Sequence, residues 1–125
     1  MVSPADAPES LVVRLYDAVF GRAADIEGLA FWTGTLRGGA SLGALADAFV
    51  ASPEFQARHG GLEDDGFVDL LYRKALDREA DEEERGFWTG GLERGVSDRG
   101  DIAASVSESP EHVAKLALPN IDPLA

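Results

Sequence analysis

The chain has no cysteine, which removes disulfide frameworks, thiolate zinc sites, iron-sulfur ligation and a cysteine nucleophile together. Positive charge is scarce as well: 11 Lys and Arg stand against 23 Asp and Glu, for a formal net charge of -12. Phosphate backbones and anionic lipid surfaces repel such a chain on average, so nucleic acid is not expected as a partner. No apolar run approaches the length of a membrane span, so membrane insertion is not expected either. The start, Met1 to Asp6, lacks the basic residues and apolar stretch of a cleavable signal peptide. There is no Gly-x-Ser-x-Gly elbow, phosphate-cradling glycine loop or His-Glu-x-x-His pair, and the expectation is that the protein is not an enzyme. The two histidines, His59 and His112, are too few for a histidine-based metal site and are expected at the surface. Strand-like alternation is missing throughout, which leaves an all-α fold.

What is present is a duplication. Phe20-Gly21-Arg22-Ala23-Ala24-Asp25 with Phe31-Trp32-Thr33-Gly34 returns as Leu76-Asp77-Arg78-Glu79-Ala80-Asp81 with Phe87-Trp88-Thr89-Gly90. The pairs Tyr16/Tyr72, Arg22/Arg78, Asp25/Asp81, Trp32/Trp88 and Ser41/Ser97 are each 56 residues apart, whereas Ser52-Pro53-Glu54 and Ser109-Pro110-Glu111 are 57 apart. The second copy therefore carries an extra residue in or near its third helix.

Helical spacing of Val12, Leu15, Tyr16 and Val19 predicts a first amphipathic helix that stops at Gly21, a residue suited to the left-handed position beyond a helix end. Asp25 should cap a second helix with the stripe Leu29, Trp32 and Leu36. Ser41 should cap a third carrying Leu42, Leu45, Ala46, Phe49 and Val50. Ser52-Pro53-Glu54 reads as cap, first-turn proline and first-turn acid of a short fourth helix. The organisation expected over residues 1–125 is one domain: a first repeat at 9–59, a linker at 60–66, a second repeat at 67–116 and an extended tail at 117–125. A four-helix unit of roughly 56 residues buries its apolar faces poorly alone, so the two copies should share one core about a pseudo-twofold axis.

Six residues are candidates for ligand binding. Trp32 and Trp88 could stack a sugar ring or anchor a protein if exposed, although their place on a helical stripe points to the core. Arg22 and Arg78 suit clamping a carboxylate or a sugar acid. The alternative is that each arginine braces its turn and pairs with Glu54 or Glu111, while Asp25 and Asp81 cap helices. The acidic runs at Asp81 to Glu84 and Glu63 to Asp65 lack the alternating ligands and central glycine of an EF-hand; no cofactor is expected, weak calcium binding being the alternative.

Tyr16, Gly21-Arg22, Asp25, Gly28, Trp32 and the closing Ser52-Pro53-Glu54-Phe55 resemble the bacterial family known as domain of unknown function 4214. The second copy keeps Tyr72, Arg78, Asp81, Trp88 and Ser109-Pro110-Glu111 and departs at Asp77, Glu84 and His112. A looser similarity exists to helical linker domains of cyanobacterial light-harvesting antennae. The family resemblance implies a place in large bacterial exoproteins, beside calcium-binding repeats and surface-layer or adhesion modules, exported without an N-terminal signal. The expected function is thus a non-enzymatic recognition or adhesion module of a secreted or cell-surface protein, with polysaccharide or a surface protein as partner. The alternative is a structural assembly protein of a surface layer, virus-like particle or larger complex, and the alternative location is the cytoplasm.

Overall fold

The computed structural model describes residues 7–121. The local signals produce eight α-helices among them: α1 (Pro8–Phe20), α2 (Ile26–Arg37), α3 (Leu42–Ala51), α4 (Pro53–His59), α5 (Asp64–Leu76), α6 (Glu82–Glu93), α7 (Arg99–Ser107) and α8 (Pro110–Ile121). Helices α1 to α4 form the first unit and α5 to α8 the second, with no strand among the described residues. Gly21 ends α1 in the left-handed region at φ 67, and Asp25, Ser41 and Ser52 each accept a backbone N–H at the start of α2, α3 and α4. These bonds satisfy amide groups that a helix leaves unpaired at its N-terminus.

Several boundaries differ from those expected of the sequence. The linker is shorter than 60–66, because α5 already starts at Asp64 and takes in Gly66. Helix α8 runs to Ile121, through most of the stretch read as an extended tail, and residues 122–125 lie outside the described residues. The extra residue of the second copy sits in the loop between α6 and α7. Asp98, not Ser97, caps α7, and it does so in a reciprocal box with Asp101.

The two units bury their apolar stripes against each other. Val12, Leu15 and Val19 of α1 and Phe67, Val68 and Leu71 of α5 are buried, as are Leu45, Ala46 and Phe49 of α3 and Ile102, Ala103 and Val106 of α7. Contacts join α1 to its equivalent α5 and, more extensively, α3 to its equivalent α7, as an approximate twofold relation requires. Burial of each large side chain contributes roughly 1.5–3 kcal/mol. Helices α2 and α6 stay peripheral, packed on α1 and α5 respectively, and therefore present one side to solvent. Thr33 and Gly91 are the buried residues of these two helices.

The α3/α7 crossing is close because equivalent glycines, Gly43 and Gly100, line it. A Cβ on Gly100 would strike the Asp47 carboxylate and lie 2.7 Å from the Asp47 nitrogen, whereas one on Gly43 would lie 3.2 Å from Asp101 Oδ1. A Cβ on Gly34, on the open side of α2, would meet nothing within 4 Å. Gly100→Ala should therefore lower stability by about 1–3 kcal/mol through overpacking, while Gly34→Ala should raise it by about 0.5–1 kcal/mol through helix propensity. Urea unfolding of the two variants checks both signs.

Candidate functional site

The repeated turn between the first two helices of each unit places the arginines. In the first unit, Arg22 donates from Nε to Glu54 Oε2 at 2.9 Å and from Nη2 to Glu54 Oε1 at 2.7 Å, while Nη1 reaches the Ala23 carbonyl at 3.0 Å. Its guanidinium lies over the rings of Tyr16 and Phe20, 5.1 and 5.4 Å from their centroids. This fork ties the α1–α2 turn to the first turn of α4, and it holds the Glu54 carboxyl below its usual range, the Arg22 hydrogen bond being the largest cause. Asp25 is spent on its helix: it accepts the Gly28 N–H at 3.1 Å and stands 3.9 Å from Arg22 Nη1. The bracing role weighed for the Arg-x-x-Asp pair is thus the one the fold uses, with Glu54 and Glu111 as the partners.

Beside this pair lies a groove of about 270 Å³ lined by Tyr16, Phe20, Arg22, Trp32, Ala48, Phe49, Ser52, Pro53 and Glu54. Its aromatic residues contact one another, Phe20 stacking on Phe49 at 5.1 Å and Trp32 meeting Phe49 edge-on at 5.2 Å. Trp32 is half-buried, so it belongs neither to the deep core nor to a free-standing platform. Burial, foremost, pushes the Tyr16 phenol up, with the Asp25 carboxylate adding to it. The volume suits one ring rather than a large ligand.

In the second unit the same backbone carries different chemistry. Arg78 donates to Glu111 from Nε and Nη2, at 3.0 Å each, and to the Glu79 carbonyl from Nη1 at 3.1 Å. It also receives a second carboxylate: Glu84 Oε1 and Oε2 sit 2.9 Å from Nη1 and Nη2. Glu84 occupies the position equivalent to Gly28 and closes a capping box with Asp81. The Phe20 and Phe49 walls become Leu76 and Val106, and Trp88 donates from Nε1 to the Tyr72 hydroxyl at 3.0 Å.

The other two departures also have structural reasons. Asp77 takes the left-handed position of Gly21 at φ 58, which aspartate tolerates better than most residues, and its carboxylate lies 3.4 Å from Lys115. His112, expected at the surface, is fully buried in the place of Phe55. Its Nδ1 lies 2.7 Å from the Ser107 carbonyl and its Nε2 2.8 Å from Asp17 Oδ2. An imidazole with both nitrogens bonded satisfies a buried polar ring in a way a sequence window cannot reveal, because Asp17 comes from the other unit.

A family model described as a domain of unknown function (DUF4214) matches residues 6–45 and 46–116. The chain belongs to this family. Its two adjacent matches correspond to the two tandem units, although the division between them falls inside α3, whereas the helix order separates the units between His59 and Asp64. No curated protein and no solved structure matches the chain. Among the described residues of this DUF4214 chain, no three His, Asp or Glu side chains are grouped to hold a metal ion, and no helix is long and apolar enough to cross a membrane.

Sequence motifs did not reveal the groove's second wall, Phe20 and Phe49, because it exists only once α1 and α3 meet. Nor did they single out Phe31 and Phe87 as surface rings; these are 63% and 67% exposed at equivalent positions, each edge-on to the adjoining tryptophan at 4.8 Å. Glu84 was visible in the sequence only as part of an acidic run and a departure from the first copy; its capping box with Asp81 and its bond to Arg78 were not.

The Glu84 carboxyl is lowered to about 2, the Arg78 hydrogen bonds being the largest cause. Because the folded value lies below the ordinary value of 4.5, this group's stabilisation is complete above that ordinary value and is lost as pH falls towards about 2. Glu84→Gln should then cost about 1–2 kcal/mol at pH 7, allowing for solvent screening, and almost nothing near pH 2. Thermal melts of the variant and the parent across that pH interval measure the difference.

Proposed function

We propose that the chain is a non-enzymatic recognition module of a secreted or cell-surface bacterial protein, and that the groove of the first unit receives a sugar ring of a polysaccharide. The observation that carries the reading is the groove itself: aromatic walls from Tyr16, Phe20, Trp32 and Phe49 meet a forked Arg22–Glu54 pair at its edge. The apolar face of a pyranose stacks on aromatic rings, and its hydroxyls suit charged donors and acceptors beside them. A flat apolar surface would have favoured protein assembly instead. The -12 net charge and lack of cysteine agree with an extracellular setting.

The second reading, a structural assembly domain, is favoured by Phe31 and Phe87. Both copies keep a large, mostly exposed apolar ring on a peripheral helix, touching within the fold the edge of the adjoining tryptophan. Recognition is preferred because these two rings are single exposed residues on separate helices, whereas the groove gathers its side chains in one place.

A glycan array probed in calcium-containing buffer, and again with chelator, tests the first reading. Reproducible binding that disappears in Trp32→Ala, with the helical circular dichroism retained, is the expected outcome. Trp32 is only half-buried, so the substitution should cost less than the ~3–5 kcal/mol of a fully buried tryptophan. A blank array with self-association that Phe31→Glu and Phe87→Glu abolish, read by light scattering, would replace recognition with assembly.

A further inference from the structure

We infer that the outer Nη1/Nη2 edge of Arg22 is the seat of a carboxylate carried by the ligand, so that the groove's polysaccharide contains uronic acid. The inference rests on the recognition reading above and narrows it to a ligand class.

The second unit supplies the pattern. All five N–H groups of Arg78 are engaged: two by Glu111, one by the Glu79 carbonyl and two by the Glu84 carboxylate. In the first unit the Glu54 fork and the Ala23 carbonyl reproduce three of those bonds on Arg22. The two donors left correspond to the pair that Glu84 binds. Position 28, where an equivalent side chain would start, is glycine, and a Cβ there would collide with the Tyr16 hydroxyl and lie 2.9 Å from Asp25 Oδ1. A side chain at position 28 thus cannot fill this edge, and Asp25, 3.9 Å from Nη1, stops short of a hydrogen bond to it.

A third donor completes the match. Glu84 Oε1 also accepts the Asp81 backbone N–H at 2.9 Å, and the equivalent Asp25 N–H has no acceptor among the described residues. Glu54 does not prevent a second carboxylate from binding here, because Arg78 holds Glu84 together with Glu111 in the equivalent place. Paired, charge-assisted bonds from a planar guanidinium select a carboxylate over a hydroxyl. Arg22 also lines the aromatic groove, so a pyranose on the aromatic walls can present its acid to the same guanidinium. A uronate satisfies both features, whereas a neutral sugar or a simple carboxylate satisfies one.

On this reading the two units have divided their work. The first binds, and the second is closed by its own Glu84, which stands where the ligand's carboxylate stands in the first.

Side-chain Nε–Hε resonances of Arg22 and Arg78, followed by NMR during titration with D-glucuronate, D-glucose and acetate, test this directly. Glucuronate should move Arg22 and leave Arg78 in place, with affinity at least about tenfold above glucose or acetate, the ratio that one charge-assisted interaction supplies. Glu84→Gly should make Arg78 respond as well, but to acetate and glucuronate about equally, because Leu76 and Val106 replace two of the ring walls there. Gly28→Glu combined with Tyr16→Phe, which removes the nearest colliding atom, should abolish the Arg22 response. Glucose binding as tightly as glucuronate would overturn the uronate inference and leave the groove reading intact. Acetate binding as tightly as glucuronate would overturn the sugar assignment, and no Arg22 response to any probe, with a blank array, would overturn both readings.

Discussion

Everything in this fold depends on two contacts between repeat-equivalent helices made at once, α1 on α5 and α3 on α7. Each four-helix unit has apolar faces on its first and third helices that nothing in the same unit covers fully, so the copies act as each other's core. That requirement sets how closely α3 and α7 approach, through Gly43 and Gly100, and it fixes Phe49 and Val106 at equivalent depths. The ends of α1, α3 and α4 are positioned by that packing. The Arg22–Glu54 fork then spans a distance the core has already decided.

Symmetry is kept where the fold needs it and lost where it does not. Both units retain the arginine, its glutamate partner and the serine whose hydroxyl donates to a third-helix carbonyl and caps the fourth helix, because these tie the same turn to the same helix start. The side chains around that brace have diverged. Leu76 and Val106 replace two rings, Glu84 replaces Gly28, and His112 replaces Phe55. The His112 exchange is stabilised from the opposite unit by Asp17, which also receives Lys115. Arg14 and Glu108 join the units again at 2.6 and 2.7 Å, with a position equivalent to Arg14 held by Leu70. Such cross-unit pairs break the twofold relation without disturbing the shared core.

Much of the fold was legible in the chain alone. Helical spacing at Val12, Leu15, Tyr16 and Val19 located α1, and Asp25, Ser41 and Ser52 located three helix starts, because a cap is a bond between neighbours in sequence. Boundaries failed at two places: Gly66 lies inside α5 rather than in a linker, and a one-residue insertion in the loop before α7 puts Asp98, rather than the repeat equivalent of Ser41, at the cap. The site was legible in part. Trp32 and Arg22 were found through their repetition, and the arginine's partners through charge. Phe20 and Phe49 carried no signal beyond ordinary apolar periodicity, since a wall shared by two helices has no sequence spacing of its own.

The sequence by itself determined an all-α duplication, its caps and turns, and the excess of negative charge, since all of these arise from the composition of the chain or from contacts within a few residues. The tertiary structure alone decided which repeated residues are fully engaged within the fold and which keep an open edge. Arg22 and Arg78 are identical as residues and sit in equivalent turns. Whether each keeps such an edge depends on the side chain that a neighbouring helix brings to it, glycine in one unit and glutamate in the other, and that meeting exists only in the folded chain.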